Sequence, residues 1–198
     1  LSPACPIVSR QRAMYAIVRM KIAIIGSHGC GKTALAFSLC TELQKRGRRV
    51  ELVVEMARRS PFPINEATSE AGQLWILHRH IVAELEASVR ADVVVCDRSV
   101  LDNYAYYCHK FGRRLHLDAL IKEWIGTYSL LVKVPLVDEW FIPDGVRSMD
   151  RAFQRAIDLL VEDLIVDLAE GRTRILRLEY PFDVREILAA LPLDADSR

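Results

Sequence analysis

Gly26-Ser27-His28-Gly29-Cys30-Gly31-Lys32-Thr33 reads G-x-x-x-x-G-K-T, and this loop dictates what must stand on either side of it. Such a loop cradles an anion only when a buried strand delivers it and a helix N-terminus receives it. Both flanks are present. Residues 21–25 (Lys-Ile-Ala-Ile-Ile) form a short apolar run, and over residues 34–46 Leu35, Leu39 and Leu43 recur at i, i+4 and i+8, one face of a helix. Glycines at 26, 29 and 31 let the backbone curl until successive N–H groups point at one anion. Lys32 adds a point charge for β- and γ-phosphates, and the Thr33 hydroxyl can ligate Mg²⁺. Residues Gly26, Ser27, His28, Gly29, Cys30, Gly31, Lys32 and Thr33 are therefore assigned to binding nucleotide phosphates, with Mg²⁺ beside Thr33.

Further runs repeat the alternation of strand and helix. Strand-like segments fall at 50–54, 92–96, 130–134 and 173–178, mostly rich in Val, Ile and Leu, as strands buried on both faces are. Between them lie helical periodicities. One starts near Asn65 and carries Leu74, Leu77, Ile81, Leu85 and Val89; another spans 151–169 with Phe153, Ile157, Leu160, Leu164 and Leu168. A short closing helix covers 182–190. The expected fold is α/β of the P-loop NTPase type, a five-stranded parallel sheet flanked by helices on both faces. Residues 135–147 hold two prolines and a glycine without a clear period and read as a loop or lid. Residues 1–19 read as an extension before Met20, with an Arg-bearing, acid-free composition that a transit peptide also has. The main domain then covers 20–192, with a polar tail after it.

Bulk properties exclude several classes. The formal net charge is +1, from 27 basic and 26 acidic residues, so nothing pulls the chain toward long nucleic acid or an anionic membrane. No apolar run approaches the length of a membrane span. Five scattered cysteines without a C-x-x-C suggest neither a zinc site nor a disulfide framework. Cys30 inside the loop suits a reducing, cytoplasmic compartment.

In open α/β sheets ligands gather beyond the carboxyl ends of the strands. The second strand delivers Glu55, then Arg58 and Arg59; the third delivers Asp97-Arg98-Ser99. Asp97 is the natural acid to support Mg²⁺ next to Thr33, as in other P-loop proteins; otherwise it is a helix N-cap. Glu55 can take a proton from an acceptor hydroxyl or hold that hydroxyl in line; otherwise it is a structural partner of the arginines. Arg147, Arg151 and Arg155 follow one another at i, i+4 and i+8 along a helix leaving the lid, a geometry for neutralising a transferring phosphoryl group or simply a solvated face.

Together, Gly26–Thr33, Glu55-x-x-Arg58, Asp97-Arg98-Ser99 and Asp144-Gly145-x-Arg147 resemble the P-loop nucleoside and nucleotide kinases, over roughly residues 20–191. The group includes thymidylate kinases, deoxynucleoside kinases and ribosylnicotinamide kinase domains; small AAA-like ATP-binding proteins share similar motifs. The resemblance implies that Lys32 and Thr33 serve ATP and Mg²⁺, and that Glu55 meets the acceptor. It implies that Asp97 serves the metal or the acceptor, Arg58 and Arg98 the acceptor region, and Arg147 and Arg151 the transferring group. It places Gln73 on the helix lining the acceptor pocket, and lets Tyr104, Tyr106 or Tyr107 stack on a ring. Ser99, where thymidylate kinases carry an aromatic or His, and Asp97, where deoxynucleoside kinases carry Glu, leave the acceptor open.

The implied activity is ATP- and Mg²⁺-dependent phosphoryl transfer to a small nucleoside- or nucleotide-like acceptor. The alternative is a P-loop ATPase or regulatory ATP-binding protein. Arg98 stands where a motor ATPase carries a second acid to activate water, and no Asn-Lys-x-Asp element reads guanine. The oligomeric state is left open.

Overall fold

Strands buried on both faces have no polar side to turn toward water, so their apolar runs pair with one another between two layers of helix. The computed structural model describes residues 20–64, 67–137 and 150–191. Its strands are β1 (Met20–Ile25), β2 (Val50–Val53), β3 (Val93–Asp97), β4 (Leu130–Lys133) and β5 (Arg174–Arg177). They form one five-stranded sheet in the order β2-β3-β1-β4-β5, every neighbouring pair parallel. The expected sheet is the observed one.

Side-chain alternation on β1 separates the two layers. Ile22 and Ile24 pack with Leu35, Leu39 and Leu43 of α1 (Lys32–Lys45) and with Ile187 and Leu188 of α6 (Val184–Ala190). Ala23 and Ile25 face the other way, toward α2 (Glu70–Ser88), α3 (Val100–Phe111), α4 (Leu115–Ile125) and α5 (Arg151–Leu164). From β1 the chain crosses to one side of the sheet, and from β3 it crosses back past β1 to β4. The β1/β3 edge is thus a topological switch point, where a crevice opens beyond the strand ends.

Several boundaries differ from the sequence reading. The second helix starts at Glu70, not near Asn65, because Ser69 is extended and its side chain accepts from the Gly72 amide at 3.1 Å; Asn65 itself lies outside the described residues. The segment α4 had no counterpart in the reading, although Leu117, Ile121, Trp124 and Ile125 are buried at i, i+4, i+7 and i+8. The helix from Arg151 is capped by Asp150 and ends in a π-helical turn, Ile165–Ala169. The closing helix starts at Val184, behind an Asp183–Glu186 capping box. Most of the expected lid, with Arg147, lies outside the described residues.

One ionised network crosses the core. Glu84 of α2 is fully buried and accepts from Lys21 Nζ at 2.5 Å, Trp124 Nε1 at 2.6 Å and Tyr128 OH at 2.5 Å. The His80 ring lies 2.9 Å from Oε1, the oxygen that accepts from Tyr128. Burial pushes the Glu84 carboxyl up, but the Lys21 charge and the His80 contact outweigh it and hold the group well below the carboxylate range. A buried charge survives only when paired and hydrogen-bonded in this way. The network ties α2 to β1 and α4, at a distance from the strand ends that carry the loop.

Candidate active site

The phosphate loop leaves β1 at Gly26, whose φ of +140° and lack of a side chain are both required: a Cβ there would lie 2.9 Å from the Val134 carbonyl oxygen. Gly31, at φ +83°, turns the chain into α1. Lys32 is buried rather than open to solvent, and its ammonium rests on the Ser27 carbonyl. It lies 3.5 Å from the Cys30 sulfur. At the far end of the loop the Thr33 hydroxyl donates to Asp97 Oδ2 at 2.7 Å. A hydroxyl and a carboxylate side by side are the hard oxygen donors that Mg²⁺ prefers. The donor chemistry therefore fits a magnesium-bound polyphosphate, with Thr33 and Asp97 as the residues that would hold the ion.

Two cavities meet over this loop. The first is the phosphate cradle, lined by residues 28–33 with Glu55, Asp97 and Arg98. The second is a narrow cleft, partly open to solvent, lined among others by Gln73, Ile76, Asn103 and Tyr106. His28, Glu55 and Arg98 belong to both walls. The sequence-predicted residues Glu55, Arg58, Gln73, Asp97 and Arg98 thus converge on one place. Arg151 opens α5, is exposed, and is not among the residues lining either cavity.

Electrostatics define the shared wall. Glu55 accepts from Arg98 Nε at 2.7 Å and from Arg58 Nε at 3.1 Å. Burial raises its carboxyl; the charges of Arg98, Lys32 and Arg58 outweigh that and bring it to about 2. Arg98 is buried, and the Glu55 carboxylate more than offsets the cost of burying its charge. Its guanidinium lies 5.0 Å from the Tyr106 ring centroid. Its φ of +91° is strained for a residue with a side chain. The strain persists because the Arg98 amide donates to Ile24 and Ser99 begins α3 at once. Arg98 Nη1 and Asn103 Nδ2 have no hydrogen-bond partner among the described residues. Gln73 is buried too, and its Nε2 donates to Thr68 Oγ1 at 3.0 Å.

His28 faces the cleft more than a loop residue is expected to. Its Nδ1 lies 3.1 Å from the Tyr106 hydroxyl, and its ring centroid lies 5.6 Å from that of Phe153 on α5. Its carbonyl accepts from Gln154 Nε2 at 2.6 Å, while Ser27 Oγ donates to the Gln154 carbonyl at 2.8 Å. The helix leaving the lid is thereby fastened to the loop through Gln154. The tyrosines divide: Tyr104 and Tyr107 are core, and only Tyr106 lines the cleft. Asn103 and Tyr106 stood within the segment that resembles kinases, yet helical periodicity alone does not say which of its residues turn to the cleft. The four cysteines in the described residues are free and buried.

Comparison with known proteins bears on the family and the fold. A family model described as an AAA domain matches residues 21–175. A probable thymidylate kinase of Thermoplasma acidophilum is 26% identical over 147 residues, covering 70% of this chain and 72% of that protein. A second, from Thermoplasma volcanium, is 29% identical over 120 residues, covering 58% of this chain and 61% of that one. Among solved structures, thymidylate kinase from Ehrlichia chaffeensis superposes with a TM-score of 0.60 at 18% identity, covering 87% of this chain and 98% of that chain. These are distant relationships to thymidylate kinases in sequence and a shared fold in structure.

Proposed function

This chain belongs to the AAA domain family, and on that footing we propose that it transfers the γ-phosphoryl group of ATP to a small nucleoside- or nucleotide-like acceptor. The observation that carries the reading is the wall shared by two cavities: His28, Glu55 and Arg98 line both the phosphate cradle and the adjoining cleft. A transferase needs two substrates in line across one such boundary. An ATPase needs only the cradle. The thymidylate kinase relatives act, by name, on a nucleotide, which agrees with a cleft of this kind.

Each residue then has a task. Loop amides and Lys32 grip the β- and γ-phosphates. Thr33 and Asp97 would hold Mg²⁺, which would supply charge neutralisation on the transferring group. Arg98, fixed by Glu55, directs its remaining Nη1 donor toward the acceptor, while Gln73 and Asn103 read a ring edge beside Tyr106. Glu55 is held ionised, so it orients Arg98. Arg58 supports the same wall. The acceptor oxygen forms the new bond to phosphorus as the bond to the bridging oxygen breaks and ADP leaves.

The test is a screen of purified protein with MgATP against nucleosides, nucleoside monophosphates and nicotinamide riboside. The expected result is ATP consumption that depends on one acceptor class and yields its phosphorylated product. Hydrolysis of ATP independent of every acceptor, with no new phosphate ester, would replace this reading by the ATPase.

A further inference from the structure

We propose that Asp102 is a positioning residue that keeps the phosphate loop and the Arg98 arm in register by holding each with one carboxylate oxygen. Asp102 is the third residue of α3 and is fully buried. Its Oδ2 accepts from the Ser99 amide at 2.7 Å and from the Ser99 hydroxyl at 2.9 Å, half of the capping box that starts the helix. Capping needs no more than that oxygen. The other oxygen, Oδ1, accepts from the Gly26 amide at 2.7 Å. Gly26 is the first residue of the phosphate loop and lies 76 positions away in sequence.

The two contacts reach opposite halves of the site. Gly26 runs so close to β4 that a Cβ there would lie 2.9 Å from the Val134 carbonyl oxygen. A charge-assisted bond to its amide therefore fixes the direction in which the loop departs from β1. Ser99 immediately follows Arg98, whose strained backbone must be held by its neighbours. One buried carboxylate, satisfied by three donors, thus links the residue that starts the donor loop to the residue beside the acceptor arginine. The acceptor half of this inference rests on the transfer reading; the loop half does not.

MgADP binding measured by isothermal titration calorimetry on the full chain tests it, with the variants D102N and S99A. MgADP loads the loop without any acceptor. In D102N the amide keeps one accepting oxygen, and its NH₂ turns toward a former donor. The expected result is a loss of MgADP affinity of about tenfold or more in D102N, the size of a lost hydrogen bond to a charged group. S99A removes the cap side chain, lowering the melting temperature while leaving MgADP affinity within about twofold. In ¹H–¹⁵N spectra of the unmodified chain the Gly26 amide proton should resonate downfield and exchange slowly, and D102N should move it upfield. Wild-type MgADP affinity in D102N would reduce Asp102 to a helix cap. A fast-exchanging, unshifted Gly26 amide in the unmodified chain would overturn the proposal even if D102N failed to fold. A loss of MgADP affinity in D102N together with no acceptor-dependent turnover in the unmodified chain would uphold the loop contact and refute the transfer reading.

Discussion

Replacing Glu55 by Gln probes the charge balance on which both cavities depend. The carboxylate meets Arg98 at 2.7 Å and Arg58 at 3.1 Å. The Arg58 side chain is 40% exposed, so its share is small; the Arg98 pair is buried and carries most of the effect. A fall of the carboxyl pKa from 4.5 to about 2, at about 1.4 kcal/mol per unit, corresponds to roughly 3 kcal/mol in favour of the ionised form. The folded pKa lies below the unfolded one. The stabilisation is therefore complete above the ordinary carboxylate range and is lost as the pH falls from about 4.5 toward about 2. At pH 7, E55Q removes it and leaves the Arg98 guanidinium buried without its counter-charge. Urea unfolding should show a deficit of about 3 kcal/mol for E55Q at neutral pH, shrinking steadily below about pH 4. Turnover should drop by about 100-fold, the scale for a displaced positioning group. MgATP should bind as tightly or more tightly, since a negative charge beside Lys32 is gone. A stability gap of equal size at pH 3 and pH 7 would refute the reasoning. So would an acidic limb near the ordinary carboxylate pKa in the activity profile that E55Q abolishes, because Glu55 would then titrate as an unpaired acid.

Three other substitutions address separate parts. Lys32→Ala should abolish MgATP binding in calorimetry while the circular dichroism spectrum stays native, because its burial is over the loop and not within either hydrophobic cluster. Thr33→Val should weaken MgATP by about tenfold while leaving metal-free ATP affinity nearly unchanged, since only the hydroxyl beside Asp97 is lost. Glu84→Gln should lower stability by about 3–5 kcal/mol in urea titrations at pH 7 by stranding the Lys21 charge. Its deficit should diminish in acid, where the depressed Glu84 carboxyl of the parent protein is itself titrated, and turnover per folded molecule should be unaffected.

The parts of this fold that follow from short-range chemistry were legible in the sequence. The strands announce themselves as apolar runs, and the Gly26–Thr33 loop is fixed by the spacing its ligand demands. Glu55, Asp97 and Arg98 could be placed together because they close parallel strands, and parallel strands end on one edge. What escaped depends on side-chain direction and on contacts distant in sequence. The segment α4 is amphipathic but short, and its Gly112-Arg113-Arg114 entry carries no capping residue. Asn65 and Ser69 are both good N-caps, and only the backbone decides between them. Asp102 reads as an ordinary capping acid until its second oxygen is seen on Gly26. Gln154 sits among arginines that look more functional, yet its side chain bonds the loop backbone at His28.

The depressed Glu55 carboxyl also bears on which acceptor the cleft suits. A group ionised down to about pH 2 is a weak proton acceptor, because catalytic bases work best near the operating pH. A hydroxyl acceptor requires a proton to leave the attacking oxygen. A phosphate monoester does not, since its oxygens are already ionised near neutrality, with a second pKa of about 6. Cations also predominate around the shared wall, where Lys32, Arg58 and Arg98 face Glu55 and Asp97. Both considerations favour a nucleotide over a nucleoside. The two separate cleanly in a pH–rate profile. With a monophosphate acceptor, kcat/KM should rise through about pH 6 with the acceptor's own second ionisation. E55Q should lower the curve without moving that midpoint. A limb that tracks Glu55 instead, or phosphorylation of nucleosides in preference to monophosphates, would return Glu55 to the role of base and require its bond to Arg98 to open during turnover.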